Sequence, residues 1–253
     1  MPLNMRSLKQ DPQANLEPER RGTILGLSLT GFHEVAYVDW GPEDAAVPVV
    51  CVHGLSRQGR DFDYLAAELA GRGRRVVCPD LVGPGLSGRL RNPDEYALPQ
   101  YCADMNALVA RLGAEEVDFV ATSLGGLIGI VLAGMPQNFI RRLVINDIGP
   151  FLPWRGLARI GTYLSDMPVE FRDLWQAERY FREVLSPFGE LTDEHWMQIT
   201  WHSVAWDASR GVPSAIHGTT VWTSGNIGPL STRQSSCCEA CIRICCHRTS
   251  RRT

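Results

Sequence analysis

The chain has 253 residues, 44% of them hydrophobic and 21% charged, with a formal net charge of −3. That length accommodates one large α/β domain with a sizeable core, and the charge balance supplies no basic field for nucleic acid or an anionic membrane. No apolar run is long enough to span a bilayer, and the polar arm formed by residues 1–22 lacks the apolar centre of a secretion signal.

These features set the expected location as cytoplasmic. Lys9 is the only lysine, so 24 of the 25 basic residues are arginine, a bias expected of GC-rich coding DNA. Cys51, Cys78 and Cys102 lie in apolar or amphipathic stretches and read as small buried residues. The other five cysteines, Cys237, Cys238, Cys241, Cys245 and Cys246, crowd near the C-terminus with His247.

Residues 23–30 and 33–40 read as two strands of a hairpin around Gly31, followed by a turn at residues 41–44. Residues 49–52 are a short continuous apolar run, the pattern of a strand buried on both faces, and lead into His53-Gly54-Leu55. A helix is predicted over 62–69 and a strand over 75–78. The glycine-rich loop 79–88 then precedes a predicted helix over 101–112, stopped by Gly113. Strand 117–121, helix 124–133 and strand 140–146 complete an alternation that implies a doubly wound, mostly parallel sheet.

The strand-to-helix junction at Ala121-Thr122-Ser123-Leu124-Gly125-Gly126 carries the chemistry. A serine flanked at two residues' distance by small side chains, between a buried strand and a helix, presents its hydroxyl on a sharp turn where bulk would strike neighbouring backbone. The same pattern also fits a solvated turn serine, and the strand–turn–helix context favours the nucleophile. Two backbone amides are suited to hold a developing oxyanion: Leu124 N–H, at a helix N-terminus, and Leu55 N–H, just past the outward turn at Gly54.

Four features in this order resemble the α/β-hydrolase family: the strand 49–52 with His53-Gly54, the loop Pro79-Asp80 through Gly83-Pro84-Gly85-Leu86-Ser87, the elbow at Ser123, and a strand ending Asn146-Asp147. The resemblance covers residues 25–207, with Ala121 standing where glycine is usual. It implies Ser123 as nucleophile and an oxyanion hole formed by the Leu55 and Leu124 amides. It implies structural roles at the site for His53, Gly54 and Gly125, and Asp80 as the fastener of the glycine-rich loop. A hydrolase of a small ester, lactone or related acyl bond follows, with a small, apolar substrate. No cofactor, metal, nucleic-acid or membrane partner is implied; oligomeric state is left open.

Residues 151–210 lose the strand rhythm and become aromatic-rich, the pattern of a helical cap over an α/β core spanning 23–150. Residues 211–253 sustain neither period and form an irregular tail. In this family a histidine base and its acid follow the nucleophile in chain order, on loops after later strands. The chain offers His195, His202, His217 and His247, none in a strand-to-loop context, and no aspartate after Asp207. Asp147 is the candidate acid, placed after the strand that follows the elbow.

The tail cysteines have short ligand-like spacings, but their paired neighbours do not form a two-plus-two zinc knuckle, and a disulfide framework does not suit a chain without a secretion signal. The loss of pattern suggests a tail read out of frame that replaces the last strands. The alternative function is therefore a catalytically inactive or truncated hydrolase-fold protein.

Overall fold

The computed structural model describes residues 16–148, 168, 170–207 and 212–215. Six strands form one sheet in the order β1-β2-β4-β3-β5-β6: β1 (Arg20–Ser28), β2 (Gly31–Trp40), β3 (Val49–Val52), β4 (Val76–Pro79), β5 (Val117–Thr122) and β6 (Ile140–Asn146). The β1/β2 hairpin is antiparallel and joins β4 antiparallel, whereas β4, β3, β5 and β6 run parallel. The predicted hairpin, parallel strands and helices are all present, with ends shifted by a few residues.

Alternation along each strand builds a core on both faces of the sheet. Val50, Val52 and Val77 face a cluster with Phe119, Met105, Leu108, Ile128 and Leu132, contributed partly by α2 (Leu98–Leu112) and α3 (Leu124–Ala133). Val49, Cys51, Val76 and Cys78 face the other way, toward Trp40, Leu16 and Ala66 of α1 (Asp63–Gly71). Strands covered on both faces must be apolar throughout, which is why residues 49–52 and 76–79 are buried at every position. The three cysteines read as core residues are buried free thiols.

The chain leaves β3 toward β4 on one side and returns through α2 to β5 on the other. The loops after β3 and β5 therefore part at the C-terminal ends of two adjacent strands, where open α/β sheets form a crevice. His53-Gly54 and Ser123 stand on those two loops. Helix α3 reaches this edge because its glycines let it sit against the sheet. A Cβ at Gly125 would lie 2.3 Å from the Val52 carbonyl oxygen, and one at Gly129 2.8 Å from Leu143 Cδ1.

Beyond the sheet, α4 (Leu174–Val184) and α5 (Asp193–Ser203) pack on each other through Phe171, Ala177, Phe181 and Trp196. Helix α5 starts with a reciprocal cap: the Thr192 hydroxyl accepts from His195 N–H at 3.3 Å, and His195 Nδ1 accepts from Thr192 N–H at 3.4 Å. The pattern predicted helices through residue 210. The chain instead forms an antiparallel pair of short strands, β7 (Val204–Asp207) and β8 (Val212–Ala215). Phe171 N–H donates to the Pro213 carbonyl at 2.9 Å, so β8 belongs with this helical unit although it lies beyond residue 210. Among the described residues β6 is an outer strand of the sheet, with Val144 56% and Ile145 36% exposed. The polar arm and the C-terminal tail fall mostly outside the described residues.

Replacing Gly125 by alanine is expected to push α3 off β3. A loss of about 1–3 kcal/mol in urea-unfolding stability is the overpacking penalty for a methyl that cannot be accommodated; an unchanged midpoint would contradict this packing.

Candidate active site

The Ser123 turn is strained. Ser123 has φ 51° and ψ −113°, a conformation that L-residues rarely adopt, and it immediately precedes α3. Its N–H donates to the Asn146 carbonyl at 3.0 Å, and its carbonyl accepts from Leu127 N–H at 3.1 Å. The turn is thus hooked to β6 on one side and continued into the helix on the other. Gly54 faces it: a Cβ there would sit 3.4 Å from Ser123 Cβ and 4.0 Å from its Oγ. Absence of a side chain at position 54 keeps the approach to the hydroxyl open.

Both expected oxyanion donors stand at this junction. Leu124 is the first residue of α3, whose first-turn amides have no partner within the helix. Leu55 follows Gly54 in a turn closed by Arg57 N–H donating to the Gly54 carbonyl at 3.1 Å. A turn closed in that way leaves the amide of its second residue unused, and that residue is Leu55.

His53 is 1% exposed, and both of its ring nitrogens are engaged. Leu81 N–H donates to Nε2 at 2.8 Å, so Nε2 carries a lone pair and Nδ1 carries the proton, which it donates to the Gly54 carbonyl at 2.7 Å. Burial holds its pKa below the usual histidine value, the nearby Asp80 carboxylate opposing. A neutral ring with neither nitrogen free pins the β3 loop to the β4 loop. Asp80 fastens the latter, accepting from Gly59 N–H and Leu86 N–H, each at 2.7 Å, while its own carbonyl accepts from the Ser87 hydroxyl at 2.6 Å. Gly85, at φ +64°, lies so close that a Cβ would strike the Asp80 carboxylate.

No histidine among the described residues is hydrogen-bonded to Ser123. His33 pairs with Asp104 at 2.9 Å beneath the β1/β2 hairpin, His53 holds the loop, and His195 caps α5. His202 lies beside the buried Asp63, 4.0 Å from its carboxylate. His217 and His247 are outside the described residues. Asp147 sits one residue past the Asn146 carbonyl that anchors the elbow, exposed and at φ 56°, with no hydrogen bond among the described residues. No group of three or more His, Cys, Asp or Glu able to hold a metal exists among the described residues, and no helix there is long and apolar enough to cross a membrane.

A polar cluster escaped the sequence reading. Asp63, fully buried, accepts from Arg60 Nε at 2.7 and 2.8 Å and from Gln198 Nε2 at 2.6 Å. Its sequence signal was the charge-rich stretch Arg57-Gln58-Gly59-Arg60-Asp61-Phe62-Asp63 directly after the turn at Gly54, where an apolar helix start would have sufficed. Burial pushes Asp63 up to about 7, against the stabilising Arg60 guanidinium, and pushes His202 down to about 3, with Arg60 adding to the effect.

The comparisons agree with this architecture. The model of the alpha/beta hydrolase fold matches residues 47–184, more than half of the chain. A 3-hydroxybutyrate-oligomer hydrolase of Cupriavidus necator is 43% identical over 180 residues, covering 71% of this chain and 61% of that protein. The haloalkane dehalogenase of Mycobacterium marinum is 29% identical over 155 residues, covering 61% of this chain and 48% of the relative. The chain thus spans less than two thirds of the length of these curated relatives. Among solved structures, a Rickettsia typhi protein superposes with a TM-score of 0.74 at 28% identity, covering 80% of this chain and 73% of that one. An alpha/beta hydrolase from Novosphingobium aromaticivorans gives 0.67 at 29%, covering 79% and 69%.

The two displaced titrations oppose each other in stability. Folded Asp63 keeps a proton that the unfolded chain releases near pH 4, so its contribution is full below pH 4 and lost as pH rises through about 7. Folded His202 refuses a proton that the unfolded chain takes near 6.5, so its contribution is present above 6.5 and lost as pH falls toward 3. Urea unfolding of Asp63→Asn against wild type should show the variant's relative stability rising between pH 4 and 7; a flat difference would rule out the displaced carboxyl. From the matched elbow, crevice and family model together, the chain belongs to the α/β-hydrolase family.

Proposed function

We propose that this chain is a serine hydrolase that cleaves a carboxylic ester, with Ser123 as nucleophile and short, apolar hydroxyacyl esters as the substrate class. The observation that carries this reading is the strained Ser123 turn, placed at a helix N-terminus and facing the side-chain-free Gly54 across the crevice. Attack by Oγ on the ester carbonyl forms a tetrahedral oxyanion, which the Leu55 and Leu124 amides receive without reorganising. Collapse expels the alcohol and leaves an acyl-serine, which water then hydrolyses. A base from outside the described residues takes the serine proton, and Asp147 is the acid this reading assigns to orient it.

The 43%-identical relative, named for hydrolysis of 3-hydroxybutyrate oligomers, supports the ester class. A serine at position 123 speaks against dehalogenase chemistry, which in this family ordinarily starts from an aspartate there.

A second reading is favoured by one observation, the lack of a histidine hydrogen-bonded to Ser123 among the described residues: a hydrolase fold that no longer turns over. The two separate in a single experiment. A fluorophosphonate probe should label wild type and not Ser123→Ala. Turnover of p-nitrophenyl butyrate and of linear 3-hydroxybutyrate oligomers should fall on the order of 10³-fold or more in the variant. A folded wild-type protein that neither labels nor turns over would sink the first reading and establish the second.

A further inference from the structure

The charge-rich stretch after the oxyanion turn is tied at both ends. On the sheet side, Arg57 N–H donates to the Gly54 carbonyl at 3.1 Å and Gly59 N–H to Asp80 at 2.7 Å. On the other side, Arg57, Gln58 and Asp63 reach the α4/α5 unit, while Arg60 also donates to the Leu16 carbonyl at 3.0 Å. The Arg57 guanidinium is gripped by Asp61 at 2.5 and 2.7 Å and lies 5.8 Å from the centre of the Phe181 ring on α4. The Gln58 amide donates to the His202 carbonyl at the end of α5. Asp63, held by Arg60, accepts from Gln198 on α5, and the next residue, Tyr64, packs edge-on against His195 at 4.2 Å between ring centres.

Such a connection is costly to build from polar groups. Gln198 is 2% exposed and Asp63 fully buried, and apolar residues of the same volume would hold two surfaces together as well or better. What directional bonds add is register: they are satisfied in one docking position and broken in the next. The stretch also has no slack, because only Ser56 separates Leu55 from the first of these anchors.

We propose that residues 57–63 form a rigid link through which the docking of α4 and α5 sets the position of the Leu55 amide, making Gln198 a positioning residue for the reaction. The proposal rests on Ser123 and Leu55 as nucleophile and oxyanion donor. When α5 is seated, Asp63 and Gln58 hold the stretch, and the turn at 54–57 points its free amide at the crevice. When α5 shifts, the stretch follows, and the donor leaves its place. Docking of α5 thereby keeps the oxyanion hole in its preorganised form.

Gln198→Leu removes the bond to Asp63 with little change of volume, and Gln58→Leu, which cuts a separate tie, serves if the first variant does not fold. Two readouts are taken on the full chain: amide hydrogen exchange of the segment 54–62, and kcat and KM for p-nitrophenyl acetate, with Ser123→Ala as the control. The link predicts faster exchange in 54–62 with β5 unchanged, and kcat lowered about ten-fold at nearly constant KM, since even a small misplacement of an oxyanion donor slows the chemical step. Unchanged exchange in 54–62 overturns the link, whatever happens to turnover, and so does a raised KM at constant kcat. If exchange responds while wild type shows no Ser123-dependent turnover, the serine reading fails and the mechanical link stands.

Discussion

The approach of α3 to the end of β3 governs the rest of the molecule. With only hydrogen at Gly125, the helix backbone comes against the Val52 carbonyl, closer than any side chain would allow. That contact brings the start of α3 beside the loop leaving β3, so the hydroxyl on one and the open Gly54 on the other share a crevice. The positive φ at Ser123 is the conformational cost of turning from strand to helix in so little space. The Asn146 carbonyl and the buried apolar face of α3 offset it.

The β4 loop then completes the frame. A single neutral imidazole, His53, accepts from one loop and donates within another, and Asp80 carries the fastening onward to Gly59 and Leu86. Two adjacent parallel strands, β3 and β4, therefore have their exit loops joined by short bonds. Rigidity of this kind suits amides that must point at a charge before it forms.

The parallel core was legible because burial on both faces forces continuous apolar runs, as in residues 49–52, and because glycines punctuate the helices. The elbow was legible for the same reason: its small residues mark where backbone meets backbone. The β7/β8 hairpin was not, since four-residue strands, one containing Pro213, carry no measurable alternation. Nor was the bond from Gln198 to Asp63, which joins residues 135 apart in the chain; no local pattern encodes such a pairing. At the site, the turns that carry Leu55 and Ser123 could be read from the chain, whereas a partner for the serine could not, because histidines reach a nucleophile through tertiary placement rather than through spacing.

The tautomer fixed at His53 reaches beyond architecture. Acylating reagents attack the unprotonated nitrogen of an imidazole, and in His53 that lone pair is occupied by the Leu81 amide in a ring sealed from solvent. Carbethoxylation would thus pass over this histidine while the fold is intact. Any loss of the proposed esterase activity on such treatment, if reversed by hydroxylamine, would trace to a different imidazole and turn the one most visible histidine of the motif into an internal blank for finding the base.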